Sequence, residues 1–176
     1  MNSILVLRSL IFQMKTKITF FTIGVYGSTE DEYFKKLVDA NIDLFCDIRQ
    51  RRGVRGKKYS FVNSVRLQNR LKEFKINYLH IKDLAPTIEI REAQKQDDIR
   101  NNILKRNRTE LGNIFIKQYK QDIIDKFDFS RFIKYLETNG FRNVVFFCVE
   151  EKQLACHRSI VSEEIYKYSN KQIKDL

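Results

Sequence analysis

Cysteine is scarce in this chain, which has three cysteines among 176 residues. An odd and sparse set of cysteines excludes a disulfide framework of the kind that staples small secreted domains. Cysteines without disulfide partners are typical of a reducing compartment. We therefore expect a cytoplasmic protein.

Three familiar cofactor and active-site motifs are also missing. The segment IGVYGS has two glycines but lacks the full G-x-G-x-x-G pattern, and no G-K-[ST] follows a predicted strand. No G-x-S-x-G elbow occurs either. The sequence thus gives no support for dinucleotide binding, a P-loop or a nucleophile elbow, and we expect no cofactor.

Apolar runs long enough to cross a bilayer are absent too. The run at residues 4–12 is too short and is interrupted by Arg8, and it lacks the flanking features of a signal peptide. We expect no membrane partner. Residues 1–16 are interpreted as a poorly defined extension and residues 17–176 as one domain, because no repeat or flexible linker divides them.

Positive charge dominates what is present. Lys plus Arg outnumber Asp plus Glu by 33 to 22, which gives a formal net charge of +11. Such a field attracts polyanions, so we expect nucleic acid or a nucleotide as the partner. The alternative is that the charge only keeps the protein soluble.

Short apolar runs alternate with helical patterns along the chain. Strands are predicted in KITFFTIGV, DLFCDIR, NYLHI and FRNVVFFCVE, with helices between them and after the last. This order predicts an α/β fold, with a mainly parallel sheet covered by helices on both faces. The helical stretch at about 84–127 is then an insertion or lid between the third and fourth strands.

Several residues mark the ends and faces of the predicted helices. Thr29 and Glu32 fit a capping box, and Gly140 fits a C-terminal stop. Pro86, the only proline, marks a place where a helix could begin. Helical spacing also places Val38 and Tyr168 on buried faces.

Polar side chains follow each predicted strand. Because the carboxyl ends of parallel strands meet at one rim, these side chains should converge where ligands bind in open sheets. The alternative is that any parallel sheet has polar residues at these ends. The residues concerned are Gly24 and Tyr26, Asp47 and Arg49, His80, Lys82 and Asp83, and Cys148 and Glu150.

The segment ACHRS precedes or opens the last helix. Free backbone N–H groups and the helix dipole favour an anion there, and Arg158 and Ser159 would bind it. Cys156 and His157 are a candidate nucleophile and proton donor, since the same positive end lowers a thiol's pKa. The alternative is a small buried residue with a solvent-facing imidazole. Cys148 and Cys46 are predicted to be core residues.

A zinc site in this region is not predicted. The spacing Cys-x7-Cys-His is not a usual finger or ribbon spacing, and the candidate ligands Cys148, Cys156, His157 and His80 lie partly on a core strand. We therefore predict no metal. A thiol-based or metal-dependent sensor built on Cys148 and Cys156 is a third possible function.

Two carboxylates lie at the ends of predicted strands. Asp47 and Glu150 could divide acid and base roles, or hold a divalent metal with phosphate oxygens. Alternatively each carboxylate only pairs with an arginine, as Asp47 could with Arg49 or Arg158.

A basic loop follows Asp47. The segment RQRRGVRGKK has six basic residues in ten and is followed by Tyr59 and Phe61, so it could track a phosphate backbone while a ring stacks on a base. The alternative is a solvated loop without function. The predicted nucleic-acid contacts are Arg51, Arg52, Lys57 and Lys58, with Arg49, Arg55, Tyr26 and His80 as substrate- or anion-binding residues.

These motifs together resemble the bacterial and archaeal family called domain of unknown function DUF488. The likeness covers about residues 18–165 and rests on TIGVYG, IDLFCDIR, INYLHIKDLAP, EIRE and FFCVEEKQLACHRSIV. It implies a compact α/β domain with D-x-R, C-x-E and C-H-R motifs around one pocket, and no known activity. Val25 departs from the family's T-I-G-H-S start.

Two functions follow from the sequence. The first is an enzyme acting on a phosphate-bearing substrate, by hydrolysis or transfer, with Asp47 and Glu150 as acid and base and Cys156 and His157 in reserve. The second is a non-catalytic nucleic-acid-binding module that uses the basic loop.

Overall fold

A five-stranded parallel sheet forms the centre of the protein in the computed structural model, which describes residues 18–104, 107–169 and 173–176. The predicted extension at residues 1–16 lies outside them. The order across the sheet is β3-β2-β4-β1-β5. The strands are β1 (Thr19–Ile23), β2 (Leu44–Asp47), β3 (Asn77–His80), β4 (Asn143–Phe147) and β5 (Lys174–Asp175).

Six α-helices of the described residues cover the sheet on both faces, which confirms the predicted fold class. α1 and α2 lie on one face, and α3 to α6 lie on the other. None of these helices has the length and apolar character needed to cross a bilayer. The helices are α1 (Glu30–Asp39), α2 (Ser64–Glu73), α3 (Ile88–Arg100), α4 (Asn113–Asp122), α5 (Phe129–Thr138) and α6 (Arg158–Ser169).

Alternation along the strands builds two apolar cores. Successive side chains of a strand point to opposite faces, so strands covered on both sides are apolar throughout. The core under α1 and α2 contains Phe21, Ile23, Phe45, Val145 and Phe147. The core under α3 to α6 contains Phe20, Leu44, Cys46, Val144 and Phe146.

The strand order creates a crevice at the carboxyl ends of β2 and β4. β4 lies between β1 and β2, and Asp47 is in register with Phe147. The chain leaves β2 toward α2 on one face and leaves β4 toward α6 on the other. Ligands of open α/β sheets bind where neighbouring strands diverge in this way.

The predicted helix ends are mostly confirmed. Thr29 and Glu32 form a reciprocal capping box at the start of α1. Gly140 has a φ of 74° two residues after the end of α5. Pro86 does not open a helix, because α3 begins at Ile88 with the Thr87 hydroxyl as its N-cap.

The structure decides between the insertion and the lid, differs from the prediction at two side chains, and adds one strand that was not predicted. The stretch at about 84–127 is a packed layer rather than a lid, since Phe115 and Tyr119 are buried against the sheet. Val38 and Tyr168 are 45% and 46% exposed, because each lies at the edge of its apolar stripe. β5 was not predicted, since its two residues are polar and pair with β1 only at the sheet edge.

Candidate functional site

Backbone hydrogen bonds hold the carboxyl ends of β3, β2, β4 and β1 together at the rim. The amide of Cys148 donates to the Ile23 carbonyl (3.3 Å), and the amide of Ile48 donates to the Phe147 carbonyl (3.3 Å). The amide of Ile81 donates to the Asp47 carbonyl (2.9 Å). The side chains that follow these strands therefore lie at one edge of the sheet.

Asp47 and Arg49 form a buried ion pair at this rim, on the face covered by α1 and α2. Their side chains are 0% and 4% exposed. Asp47 Oδ1 accepts from the Arg49 amide (3.1 Å) and from Nε (2.8 Å), and Oδ2 accepts from Nη2 (2.7 Å). The guanidinium lies 4.4 Å from the centre of the Phe147 ring. The two charged residues of the D-x-R motif thus bind each other in a planar, bidentate ion pair.

Two residues of β3 complete the surroundings of this pair. The Tyr78 hydroxyl donates to Asp47 Oδ2 (2.9 Å). Burial and the neighbouring Asp47 charge raise the pKa of Tyr78 to about 12. His80 Nε2 lies 2.9 Å from the Arg49 carbonyl, so His80 orients the first residue of the basic loop.

Two buried polar atoms near the pair have no hydrogen-bond partner among the described residues. They are the hydroxyl oxygen of Tyr33 in α1 and Nη1 of Arg49. Burial raises the pKa of Tyr33 well above its usual value. The hydroxyl is therefore neutral and available as a donor or acceptor.

Cys148, Cys156 and His157 form a second cluster, on the face covered by α3 to α6. His157 Nδ1 lies 3.8 Å from Cys148 Sγ and 3.7 Å from Cys156 Sγ. Cys148 follows β4, whereas Cys156 and His157 come from the turn that opens α6. All three side chains are buried, and the ring of Tyr119 packs edge-on against the imidazole at 5.5 Å.

The two thiols of this cluster differ in acidity. The hydrogen bond with Cys156 and burial raise the pKa of Cys148 well above the usual value. Burial opposes ionisation of Cys156 as well, but the Cys148 thiol, His157 and Arg158 together lower its pKa well below the usual value. Cys156 is therefore the more acidic of the two thiols.

Arg158, the last residue of the C-H-R motif, and the next residue, Ser159, bind backbone carbonyls. Arg158 is fully buried and donates to the carbonyls of Glu150 and Glu151 and to the Asp175 carboxylate. A side chain at Gly24 would overlap the Glu150 carbonyl. The Ser159 hydroxyl donates to the Cys156 carbonyl (2.9 Å). Arg158 and Ser159 thus use these donors within the protein.

Glu150 is tied to the helical layer. Its carboxylate lies 3.8 Å from Arg108 Nη2, and both side chains are about one-tenth exposed. Arg108 also donates to Asp98 (3.0 Å) and to the Ala155 carbonyl (3.1 Å). This buried network links the turn before α6 to α3.

The basic loop is the exposed part of the rim. Its cations Arg51, Arg52, Arg55, Lys57 and Lys58 are all exposed. Within residues 18–104, 107–169 and 173–176, no carboxylate forms an ion pair with any of them. Unpaired cations on one loop leave a strong positive field for an anionic ligand.

Aromatic side chains and backbone contacts fix the base of this loop. The rings of Tyr26 and Tyr59 are 5.0 Å apart, and the Tyr59 hydroxyl accepts from the Gly27 amide (3.1 Å). The Val54 amide donates to Asn63 Oδ1 (2.6 Å). The loop is therefore anchored to the segment that follows β1 and to Asn63, the N-cap of α2.

A surface groove of about 1010 Å³ lies beside the rim, past the end of β3. It shares Gln50 with the basic loop, and its walls include Lys82 and Asp83. Four carboxylates and three basic side chains line it, so its charges largely cancel and it does not select an anion. Its lining contains none of the three residues of the Cys/His cluster.

The structure thus divides the predicted pocket into two clusters that lie back to back. Asp47, Arg49 and His80 lie together on the β2 and β3 side, and Cys148, Cys156 and His157 lie together past β4. His157 joins them, because its Nε2 donates to the Ile48 carbonyl (3.0 Å). Two residues that contact these clusters were not predicted as site residues, namely Tyr78, which donates to Asp47, and Tyr119, which packs against His157. Of the two, only Tyr78 had a signal in the sequence, because it lies in the predicted strand NYLHI two residues before His80.

The fold and the rim define a doubly wound α/β protein with its polar residues at a topological switch point. The chain belongs to the family described as domain of unknown function DUF488, whose model matches residues 29–165. Comparison with curated proteins and with solved structures found no match. The resemblance inferred from the motifs is therefore confirmed at the level of the family.

Proposed function

We propose that the protein is an enzyme that acts on a phosphate-bearing substrate, either nucleic acid or a nucleotide. The basic loop binds the phosphates, and the Cys148, Cys156 and His157 cluster is the reacting centre. Asp47 and Glu150 hold the two parts in position.

The link between the loop and the cluster carries this proposal. His157 donates to the carbonyl of Ile48, and Arg49 follows directly and opens the loop. The unpaired cations and the two thiols therefore extend from the same short stretch of the rim. If the loop holds the phosphates of a substrate, the groups next to those phosphates would lie at the ends of β2 and β4, beside the Cys148, Cys156 and His157 cluster.

The surroundings of Asp47 support a positioning role over proton transfer. Its two oxygens accept four hydrogen bonds, three from Arg49 and one from Tyr78. A carboxylate has about four acceptor sites, so none is left for a substrate. Cys156, by contrast, has a pKa well below its usual value, and its neighbours Cys148 and His157 can hold or transfer a proton, as reactive centres need.

Replacing Arg51, Arg55 and Lys57 with glutamine tests the binding step. Each lost phosphate contact reduces the slope of log affinity against log salt by about 0.9 on duplex DNA and about 0.7 on a single strand. The triple variant should therefore lose up to about 2.7 on the duplex and about 2.1 on the single strand. Affinity at low salt should fall at least about tenfold. The measurement is fluorescence anisotropy with labelled single-stranded and duplex oligonucleotides at several salt concentrations.

A matched triple variant controls for net charge. Lys36, Lys72 and Lys134 are exposed helical lysines, and replacing them with glutamine removes the same three charges. This variant should retain the slope of the wild type. Equal losses in both variants would assign binding to net charge alone and remove the loop from the proposal.

Cys156→Ser tests the reacting centre. We expect turnover of a nucleotide or oligonucleotide substrate to fall by at least about 10²-fold, because both the thiolate and the proton donor beside it are disrupted. Conversion is followed by mass spectrometry of the substrate. Cys46→Ser is the control, since Cys46 is buried in the neighbouring strand outside the cluster and should leave turnover unchanged.

A non-catalytic nucleic-acid-binding module is the second candidate. The pairing of Asp47 with Arg49 and of Glu150 with Arg108 favours it, because both carboxylates then serve the fold. Under this function the loop variant loses binding while Cys156→Ser binds normally. Salt-dependent binding without conversion of any tested substrate would favour this candidate over the enzyme.

A further inference from the structure

We propose that Cys148, Cys156 and His157 bind one zinc ion. Their ligand atoms, two sulfurs and one imidazole nitrogen, all lie within 4.8 Å of one another. Two thiolates and an imidazole are ligands that zinc prefers in proteins. The site goes beyond the proposed function, because it names the ion that the reacting centre holds.

The spacing of the ligand atoms fits a tetrahedral ion. Zinc bonds of about 2.3 Å to sulfur and about 2.0–2.1 Å to nitrogen place bound S and N atoms about 3.6 Å apart. The observed distances from His157 Nδ1 are 3.7 Å to Cys156 Sγ and 3.8 Å to Cys148 Sγ. Shifts of a few tenths of an ångström would bring these two pairs to the spacing of bound ligands. The two sulfurs lie within 4.8 Å of each other and would approach to about 3.8 Å around a tetrahedral ion.

The hydrogen bond of His157 directs the correct nitrogen at the sulfurs. A backbone carbonyl can only accept, so Nε2, which is 3.0 Å from the Ile48 carbonyl, carries a hydrogen. Nδ1 is then the nitrogen whose lone pair can bind a metal. Histidine ligands usually donate their other N–H to such a partner, which fixes the ring.

The charges balance in the buried site. Binding of Zn²⁺ forms one Zn–N bond through the free Nδ1 lone pair and two Zn–S bonds, and any proton held on the two sulfurs is released to solvent. The two thiolates neutralise the ion, so no net charge is buried. Because Tyr119 and the α4 to α6 core surround the cluster, the uncharged complex suits this position.

Three protein ligands leave the fourth zinc position open. Zinc sites of this type bind water or substrate there, whereas structural sites have four protein ligands. Among the described residues the ligand group contains only these three members. His80 does not join it, since its Nε2 lies at the Arg49 carbonyl. The use of the open position in catalysis rests on the proposed function, but zinc binding does not.

The spacing of the two cysteines along the chain does not match a known zinc motif, so the sequence alone did not predict this site. Familiar zinc motifs place two ligands on one tight turn. Here Cys148 lies just past the end of β4, and the turn before α6 brings Cys156 and His157 back to the same face. Only the folded connection between strand and helix brings the three ligands together.

Metal content of the purified wild-type chain tests the proposal first. The metal-free protein is titrated with Zn²⁺ and separately with Co²⁺, which reports its ligands by absorption. We expect one bound ion per chain, a thiolate-to-cobalt charge-transfer band, and the ligand-field bands of tetrahedral cobalt. No stoichiometric binding, or a cobalt spectrum without thiolate bands, would overturn the proposal.

Matched variants assign the ligands. Cys148→Ser, Cys156→Ser and His157→Gln should each weaken zinc binding at least about tenfold. Cys46→Ser and His80→Gln should bind zinc as the wild type does, because neither residue belongs to the cluster. Equal weakening in the control variants would contradict the assignment. The triple glutamine variant of Arg51, Arg55 and Lys57 should bind zinc as the wild type does. Zinc binding can therefore be tested separately from the proposed function.

X-ray absorption at the zinc edge keeps the test independent of whether the variants fold. The wild-type complex should show two sulfur neighbours at about 2.3 Å and one imidazole nitrogen at about 2.0–2.1 Å. A shell of oxygen and nitrogen alone would exclude the site.

Discussion

Asp47→Asn is expected to lower the free energy of unfolding by about 3–5 kcal/mol. The substitution leaves the Arg49 guanidinium, which is 4% exposed, as a buried charge without its counterion. The Asn amide would also direct N–H groups at donors of Arg49 or Tyr78. Because domains are stable by only about 5–15 kcal/mol, urea unfolding should show a large shift of the midpoint.

Asp39→Asn is the matched control for this prediction. Asp39 pairs with Lys35 on the surface of α1, where the two side chains are 60% and 72% exposed. Such pairs contribute about 0–1 kcal/mol. The double variant Asp47→Leu with Arg49→Met should recover part of the loss, because it removes both charges. A midpoint for Asp47→Asn equal to that of the control would show that the pair does not hold the rim.

This prediction changes how activity data on Asp47 are interpreted. A variant that loses turnover and also unfolds early does not identify a catalytic base. Activity must therefore be compared at temperatures where both proteins are folded. Loss of turnover in a stable Asp47 variant would instead support the acid and base roles predicted from the sequence for Asp47 and Glu150.

The layers of the fold were predictable because the strands are buried on both faces. Continuous apolar runs such as FRNVVFF separate clearly from the amphipathic helices around them. Local capping chemistry at Thr29 and Gly140 was equally visible, since it depends on neighbouring residues alone. β5 could not be predicted, because two polar residues at the sheet edge show no alternation of apolar and polar side chains.

The division of the site into two clusters could not be read from the sequence. Period-two alternation shows that Asp47 and Cys46 point to opposite faces, but it does not say which strand lies beside β2. β4 occupies that place in register with it, which puts Cys148 behind the sheet as seen from Asp47. The choice of Arg49 over Arg158 as the partner of Asp47 depends on this order as well.

Arg158→Ala is expected to cost about 3–5 kcal/mol of unfolding free energy. The guanidinium is fully buried and bridges the carbonyls of Glu150 and Glu151 to the Asp175 carboxylate of β5. Its removal takes one donor from each of the Glu150 and Glu151 carbonyls and leaves Asp175 with the Thr22 hydroxyl. It also opens a cavity beneath the turn that carries Cys156. Arg158→Lys should recover only part of the loss, because a single ammonium cannot span three partners in a plane.

Hydrogen exchange distinguishes this bridge from a general loss of stability. The Leu176 amide donates to the Thr22 carbonyl (2.9 Å) and reports the attachment of β5 to β1. In Arg158→Ala this amide should lose protection more than the amide of Leu37 in α1, which is far along the chain from the bridge.

Arg66→Ala is the control, since Arg66 forms an exposed pair with Glu30 and should cost less than about 1 kcal/mol. If Arg158→Ala were instead as stable as the wild type but lost affinity for nucleotides or phosphate, Arg158 would be the anion-binding residue predicted from the C-H-R motif, and the bridge to β5 would be secondary.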